Sequence, residues 1–391
     1  MYISSLSISG YRSLKDVEIK NMLPICIFHG LNNSGKSNIL SAIETIFRRK
    51  LIVEETTTAD VTTHSREGSF WQGRITGFAH NFYLNGKDDI TFTVSVTFGD
   101  SELMFMKDVL KELHPSLVPG RANSPKKVLT LNGKIVYVDD NSADIILQRA
   151  AFNSKHLVFE IDNAGRKSFF PKLGSLSSDK KLSHFEQLMN LLADSFKVLP
   201  SDRYFTRENI NSRPSPSPTS NTFKGWLFNL SMSKARYEIF EQIRDMCAKE
   251  PFSIGEASFS QDGEEIEIMV KGTEVRLPIG RLGSGYQQML YIVANLVLNR
   301  GKMLGIEELE INLSPKAQTI VFEKLKKHIY EDSDLVTQVI ITSHSEVFEG
   351  RRDVRCYGVQ HNDRHTVVDN WTNARRRQFF RKSGASAKLA R

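Results

Sequence analysis

The 391-residue chain carries 40% apolar and 25% charged residues, the composition of a globular protein with room for one large domain or two modest ones. No apolar run approaches the roughly 20 residues of a membrane span, the opening residues lack the charged and apolar regions of a secretory signal, and Cys26, Cys247 and Cys356 lie too far apart for a disulfide framework or a zinc ribbon. The expected location is cytoplasmic with no membrane partner, and the net charge of +7 equals the sum over residues 375–391, which hold no acid.

In chain order, Ile3 to Ile8 and Gly10 to Ile19 predict a two-stranded hairpin with Arg12 on its turn side. There Arg12 either approaches a phosphate or is a solvated turn residue, and the local pattern does not choose. Ile25 to Phe28 is the apolar run of a buried strand, and Ile39, Leu40, Ile43, Ile46 and Phe47 recur at helical spacing. Between them Gly30-Leu-Asn-Asn-Ser-Gly-Lys-Ser37 fits G-x-x-x-x-G-K-[ST], the P-loop pattern, in its required context of strand, glycine loop and helix. In that geometry backbone N–H groups wrap phosphates, the helix N-terminus adds partial positive charge, Lys36 reaches the outer phosphates and the Ser37 hydroxyl ligates Mg²⁺. Asn32, Asn33, Ser34, Gly35, Lys36, Ser37 and Asn38 are the candidate nucleotide-binding residues of this stretch.

The middle of the chain carries no such motif. Leu51 to Ser69 is polar and threonine-rich and reads as a surface loop. Phe82 to Leu84, Ile90 to Phe98, Lys127 to Leu131, Lys134 to Val138 and Leu157 to Ile161 alternate apolar and polar, with Asn85-Gly86 and Asn132-Gly133 as turn signals, and predict an antiparallel sheet of meanders. Phe185, Leu188, Leu191, Leu192 and Phe196 predict one amphipathic helix between Leu182 and Leu199. Asn211 to Asn221 is a Pro/Ser linker. Beyond it, apolar positions from Phe223 to Met246 predict one or two helices ending near Pro251, and Ile266 to Val270 with Glu274 to Leu277 predict a hairpin.

Chemistry returns at Arg281-Leu-Gly-Ser-Gly-Tyr-Gln287, a glycine loop opening a helix. Lys302 to Glu310 is a short apolar strand ending in Glu307 and Glu308. An acid at a strand end within reach of a P-loop holds the Mg²⁺ that bridges the β- and γ-phosphates, and a second acid beside it orients and deprotonates the attacking water. Glu307 is therefore assigned to the metal and Glu308 to general-base work. Pro315 suits the first turn of a helix running to His328. A second buried strand, Leu335 to Thr342, ends in Ser343-His344-Ser345, where His344 is placed to donate to the γ-phosphate or the attacking water. The basic end, with Phe379 and Phe380, is either a contact for nucleic acid or a protein partner, or a solubilising tail.

Together, Asn32-Asn-Ser-Gly-Lys-Ser-Asn38, Leu282-Gly-Ser-Gly-Tyr-Gln287, Ile306-Glu-Glu308 and Thr342-Ser-His-Ser345 resemble the Walker A, signature, Walker B and H-switch motifs of ABC-type ATPases of the SMC, RecF and OLD-like group. The opening Leu6 to Ile19 is similar to the start of that group, which supports Arg12 near the nucleotide. The chain departs from the pattern at Gly283, where many signatures have serine, and at Leu309, a frequent proline.

The resemblance implies an α/β P-loop NTPase fold, an ABC-ATPase head with a mixed sheet, an antiparallel β subdomain and a helical insert. It divides the chain into residues 1–205 and 261–370 as the two halves of the head, 206–260 as linker and helical insert, and 371–391 as basic tail. It implies ATP and Mg²⁺ as cofactors and a homo-oligomer in which two heads sandwich nucleotide, with Gly283, Ser284 and Gly285 acting in trans on the γ-phosphate held by the partner's P-loop. The signature follows the P-loop too distantly for a transporter subunit. OLD-type proteins carry a Toprim nuclease after the ATPase, whereas 47 residues follow His344 here, with no acidic D-x-D cluster. The expectation is an ATPase of a prokaryotic antiviral defence system acting with a separate effector such as a nuclease, or a RecF-like repair ATPase binding DNA, or a slow nucleotide-gated scaffold.

Overall fold

The computed structural model describes residues 1–47, 72–76, 90–99, 127–139, 142–152, 155–157, 160–161, 167–168, 191–193, 195–201, 223–249, 255–259, 266–270, 275–330, 336–348, 353–362 and 365–371. The chain divides into two compact units, Met1–Val198 with Arg352–Arg391, and Leu199–Arg351.

In the first unit, β1 (Tyr2–Tyr11) and β2 (Leu14–Ile19) form the expected hairpin, and its two-residue turn holds Arg12 at φ +49°. β1 then pairs antiparallel with β5 (Ile90–Phe98), and the sheet continues through β6 (Lys127–Asp139) and β7 (Ser142–Phe152) to β4 (Gln72–Thr76), with β8 (Lys155–Leu157) also on β7. Register explains its core: Leu6 faces Val94 and Ile8 faces Phe92, while Val94 faces Leu131 and Ile90 faces Ile135, all buried. Ile3 is buried three residues before Leu6 rather than two or four, and the irregularity between Ile3 and Ser5 is the bulge that shifts the phase.

Three expectations are corrected here. Asn132-Gly133 does not turn the chain but lies inside continuous β6, where a bulge against β7 takes up the extra residue and the Asn132 amide donates across to Thr93 Oγ1 at 2.8 Å. The stretch from Leu157 to Ile161 is not one strand, since β8 stops at Leu157 and Glu160–Ile161 forms β9, paired with β10 (Lys167–Ser168). Phe196 belongs not to a helix but to β11 (Phe196–Leu199), because both its ends are buried and the Glu44 carboxylate accepts the Val198 N–H at 3.2 Å. The Leu51–Ser69 loop, the Phe82 strand, Asn85-Gly86, the 211–221 linker and residues from 372 onward lie outside the described residues.

Also in this unit, β3 (Ile25–Gly30) is buried at every position and runs parallel to β17 (Arg355–Asn362), which pairs antiparallel with β18 (His365–Asn370). After β3 the chain turns into α1 (Lys36–Phe47), whose buried stripe is Ile39, Leu40, Ile43, Ile46 and Phe47. Each such side chain contributes about 1.5–3 kcal/mol on burial, which holds the helix and hence the loop before it.

The second unit begins with α2 (Phe223–Met232) and α3 (Tyr237–Ala248), then an antiparallel sheet of β12 (Gly255–Phe259), β13 (Ile266–Val270) and β14 (Arg276–Pro278). Next comes α4 (Ser284–Leu298), buried continuously from Leu290 to Val297 and packed by Tyr291 on Phe223 at 5.3 Å between ring centroids. β15 (Met303–Ile306) pairs in parallel with β16 (Gln338–Ser343), and α5 (Pro315–Tyr330) connects them. Parallel, fully buried strands joined by a helix are the sheet pattern of α/β folds, as the apolar runs predict.

Candidate active site

The P-loop lies in the first unit, between a buried strand and a helix whose first turn carries no acid, so the positive end of the helix is not neutralised. Lys36 is buried, and its ammonium donates to the carbonyls of Gly30 at 2.8 Å and Leu31 at 2.9 Å, which lays the charge along the loop. Asn33 and Gly35 adopt φ of +60° and +99°. A Cβ on Gly35 would come within 2.0 Å of Thr366 Oγ1, so close approach as well as backbone conformation demands glycine there. Ser34 is buried, while Asn32, Asn33 and Ser37 are exposed.

The Arg12 guanidinium donates to Asn38 Oδ1 at 3.3 Å and lies over the Tyr11 ring at 5.5 Å from its centroid. Asn38 Nδ2 in turn donates to Ser13 Oγ at 2.8 Å. The hairpin turn is thereby brought to the start of α1, and the Asn38 side chain bridges Arg12 and Ser13.

The acidic residues lie in the second unit. Glu307 follows β15, its N–H donating to the Leu199 carbonyl at 3.0 Å and its carboxylate accepting the Ser201 N–H at 3.4 Å. Glu308 takes φ +46°, a left-handed conformation that costs a non-glycine residue of order 1 kcal/mol and is held by its N–H donating to Thr342 Oγ1 at 3.0 Å. Its Oε1 then lies 3.8 Å from His344 Nε2, an ion-pair distance when the imidazole is protonated. The sequence pairs Glu308 and His344 by motif order alone, and the second unit brings their side chains together.

Glu310, unassigned by the sequence, accepts the His344 N–H and so fixes the turn that carries the histidine. Burial is the main influence on its carboxyl, pushing it above the ordinary value, partly relieved by that N–H. Below it, Ser345 Oγ donates to Gln318 Oε1 at 2.6 Å and Gln318 Nε2 to the Leu313 carbonyl at 2.9 Å. The end of β16 and the turn after it are thus bonded to residues 308–318 at three points, through Thr342, His344 and Ser345.

Gly283 and Ser284 are exposed at the start of α4, and no side chain caps that helix. Gln287 braces the loop from behind, donating to the Leu282 carbonyl at 2.7 Å. A Cβ on Gly285 would stand 2.8 Å from the Asn312 carbonyl oxygen, so the loop also packs against the segment after Glu310.

The model of the AAA ATPase domain matches residues 1–164 and 208–348, which include the P-loop, the glycine loop of α4, Glu307, Glu308 and His344. The chain belongs to the AAA ATPase domain family. A curated relative of this ATPase, from Helicobacter pylori, is named ATP/GTP phosphatase and is 20% identical over 361 residues, 88% of this chain and 86% of its own. Among solved structures, the ATPase is similar to an SMC head bound to the C-terminal winged-helix domain of ScpA, with a TM-score of 0.50 and 14% identity over 97% of this chain and all of that one. The SMC head domain of Thermotoga maritima matches with a TM-score of 0.47 and 12% identity over 95% of this chain and 100% of its own. The first of these likenesses gives the fold, that of an SMC-type P-loop ATPase head.

Proposed function

We propose that this ATPase is a two-state switch in which the P-loop of one head and the α4 loop of a second copy enclose ATP, with Glu308 as general base. The observation that carries the reading is the pairing of Glu308 with His344 at the end of parallel strands, in a chain of the AAA ATPase domain family. The exposed, uncapped start of α4 supports the part in trans, since a helix N-terminus presented to solvent offers backbone N–H groups and positive potential to a phosphate. Arg12, Asn32, Asn33, Ser34, Gly35, Lys36, Ser37 and Asn38 form the cis side of the nucleotide site. Ser37 and Glu307 would offer the hard oxygen donors that Mg²⁺ prefers, and the ion would neutralise charge on the phosphate oxygens.

In this mechanism Glu308 takes a proton from water as its oxygen bonds to the γ-phosphorus and the bond to the bridging oxygen breaks, leaving ADP and phosphate. His344 donates to the γ-phosphate or to the water. The name of the Helicobacter pylori relative, ATP/GTP phosphatase, supports this reading. Loss of the γ-phosphate removes what held the heads together, and the dimer geometry changes.

We place the switch in a cytoplasmic antiviral defence system of a prokaryote, acting with a separate effector such as a nuclease. A RecF-like role on DNA is the second reading, favoured by the seven basic residues between Arg375 and Arg391. Steady-state ATP hydrolysis with and without double-stranded DNA, at low and moderate salt, separates them. Turnover indifferent to DNA is the expected result. Stimulation that fades as salt rises would move the assignment to the DNA-responsive reading, and no ATP hydrolysis under either condition would leave a nucleotide-gated scaffold.

A further inference from the structure

The residue pattern of β18 is inverted. Thr366 is 3% exposed while the neighbouring Val367 is 38% exposed, so the strand buries its hydroxyl and shows solvent its valine. A strand built only for packing does the opposite. The register against β17, with Thr366 opposite His361, and the stacking of Trp371 on His29 at 4.8 Å hold this arrangement at the residue that precedes Gly30.

What the buried hydroxyl touches gives the reason. Thr366 Oγ1 donates to the Ser34 carbonyl at 3.1 Å, and a carbonyl only accepts. Its single proton is then committed, so in the 2.6 Å contact with Ser13 the Ser13 hydroxyl must be the donor. Ser13 Oγ accepts from Asn38 Nδ2 at 2.8 Å, and Asn38 Oδ1 accepts from Arg12 at 3.3 Å. The result is one chain of donors running from Arg12 through Asn38, Ser13 and Thr366 to a P-loop carbonyl, every bond pointing the same way, the arrangement in which hydrogen bonds polarise one another. The Thr366 N–H also donates to the Ser13 carbonyl at 2.8 Å.

The end of the chain falls on the peptide between Ser34 and Gly35. That unit is planar and trans, so its N–H lies opposite its carbonyl. Anchoring the Ser34 carbonyl on Thr366 therefore turns the Gly35 N–H away from β18.

We propose that Thr366 is a positioning residue of the nucleotide site, which sets the Gly35 N–H for the phosphates and ties it to Arg12. The residue lies outside the stretches matched by the family model. The inference deepens the P-loop reading and rests on it.

Steady-state kinetics of Thr366→Val, which keeps the shape and loses the hydroxyl, and of Thr366→Ser, which keeps the hydroxyl, test it. Thr366→Val raises KM for ATP by about five- to tenfold, the scale of one or two lost hydrogen bonds, with kcat within about twofold of wild type, and Thr366→Ser recovers most of the difference. A Thr366→Val enzyme with wild-type KM, or a Thr366→Ser enzyme equally impaired, would overturn the assignment. Should Thr366→Val fail to fold, Ser13→Ala at the hairpin turn breaks the same chain one bond earlier and must raise KM without lowering kcat in proportion. Lys36→Ala separates the two ideas: if it hydrolyses ATP normally the P-loop reading fails, whereas its loss of activity beside an indifferent Thr366→Val defeats only this inference.

Discussion

Glu310 shows how a single buried carboxyl governs the residues around it. It accepts the His344 N–H, yet burial raises its proton affinity above the ordinary value, with the nearby Glu308 carboxylate adding a smaller push in the same direction. A raised carboxyl means the folded state binds the proton more tightly than the unfolded chain. Stability attributable to this group is therefore highest at and below pH 4.5 and declines as pH rises through the folded value. Glu310→Gln keeps an acceptor for the His344 N–H and removes the ionisation. Its melting temperature should exceed that of wild type at neutral pH, with the advantage shrinking toward pH 4.5. An advantage that instead grows on acidification would mean that the hydrogen bonds outweigh burial. The acid two positions beyond Glu308 is visible in the sequence, but its partner is the backbone N–H of His344 in the turn after β16, 34 residues along the chain, which no local pattern announces.

Among the elements, α4 carries two glycines at its start with opposite constraints. A methyl at Gly283 would meet nothing closer than the Tyr286 ring at 3.9 Å, and its φ of −56° suits any residue. At Gly285 the methyl would stand 2.8 Å from a backbone oxygen of Asn312, which itself lies at φ +59°. Gly283 is the N-cap, outside the helix proper, where alanine has no propensity advantage over glycine. At Gly285 alanine improves helix propensity by at most about 1 kcal/mol, but overpacking against backbone costs about 1–3 kcal/mol, so crowding wins there. In urea denaturation Gly285→Ala should lose about 1–2 kcal/mol, and Gly283→Ala, which meets no crowding and changes only an N-cap, should lose less than about 0.5 kcal/mol. Equal stability of the two variants would mean that the Asn312 segment yields. The same level explains the misread elements: Asn-Gly signals a turn only when the flanking strands leave it one, and in β6 the neighbouring strands β5 and β7 continue past it on both sides.

At the scale of the whole molecule, the two units divide the labour. The first holds the P-loop, with Lys36 and Arg12 fixed by main chain and by Asn38, and the second holds Glu307, Glu308, His344 and the exposed start of α4. A head that offers its α4 loop outward is completed by a second copy under the proposed function. Glu308→Gln should bind ATP with Mg²⁺ and fail to hydrolyse it, with turnover down by at least about a hundredfold as befits a lost general base. The trapped protein should sediment at twice the mass of the chain with ATP and at the monomer mass with ADP. A variant that turns over ATP at the wild-type rate, or that stays monomeric when saturated with ATP, would remove the base or the dimer from the scheme.

The P-loop, the Glu-Glu strand end and the histidine after β16 were legible from residues alone, because each is a short run of particular residues at fixed spacing. The buried strands β3, β15 and β16 and the helices α1, α4 and α5 were equally legible, since their apolar periodicity is local. Only the tertiary structure decided that Thr366 and Ser13 brace the P-loop, that Glu310 holds the histidine turn, and that Phe196 ends in a strand. Each of these rests on a hydrogen bond or burial against residues distant in the chain. A polar side chain bears no mark in the sequence of which remote carbonyl or amide it will meet, and that choice is made when the strands and helices pack.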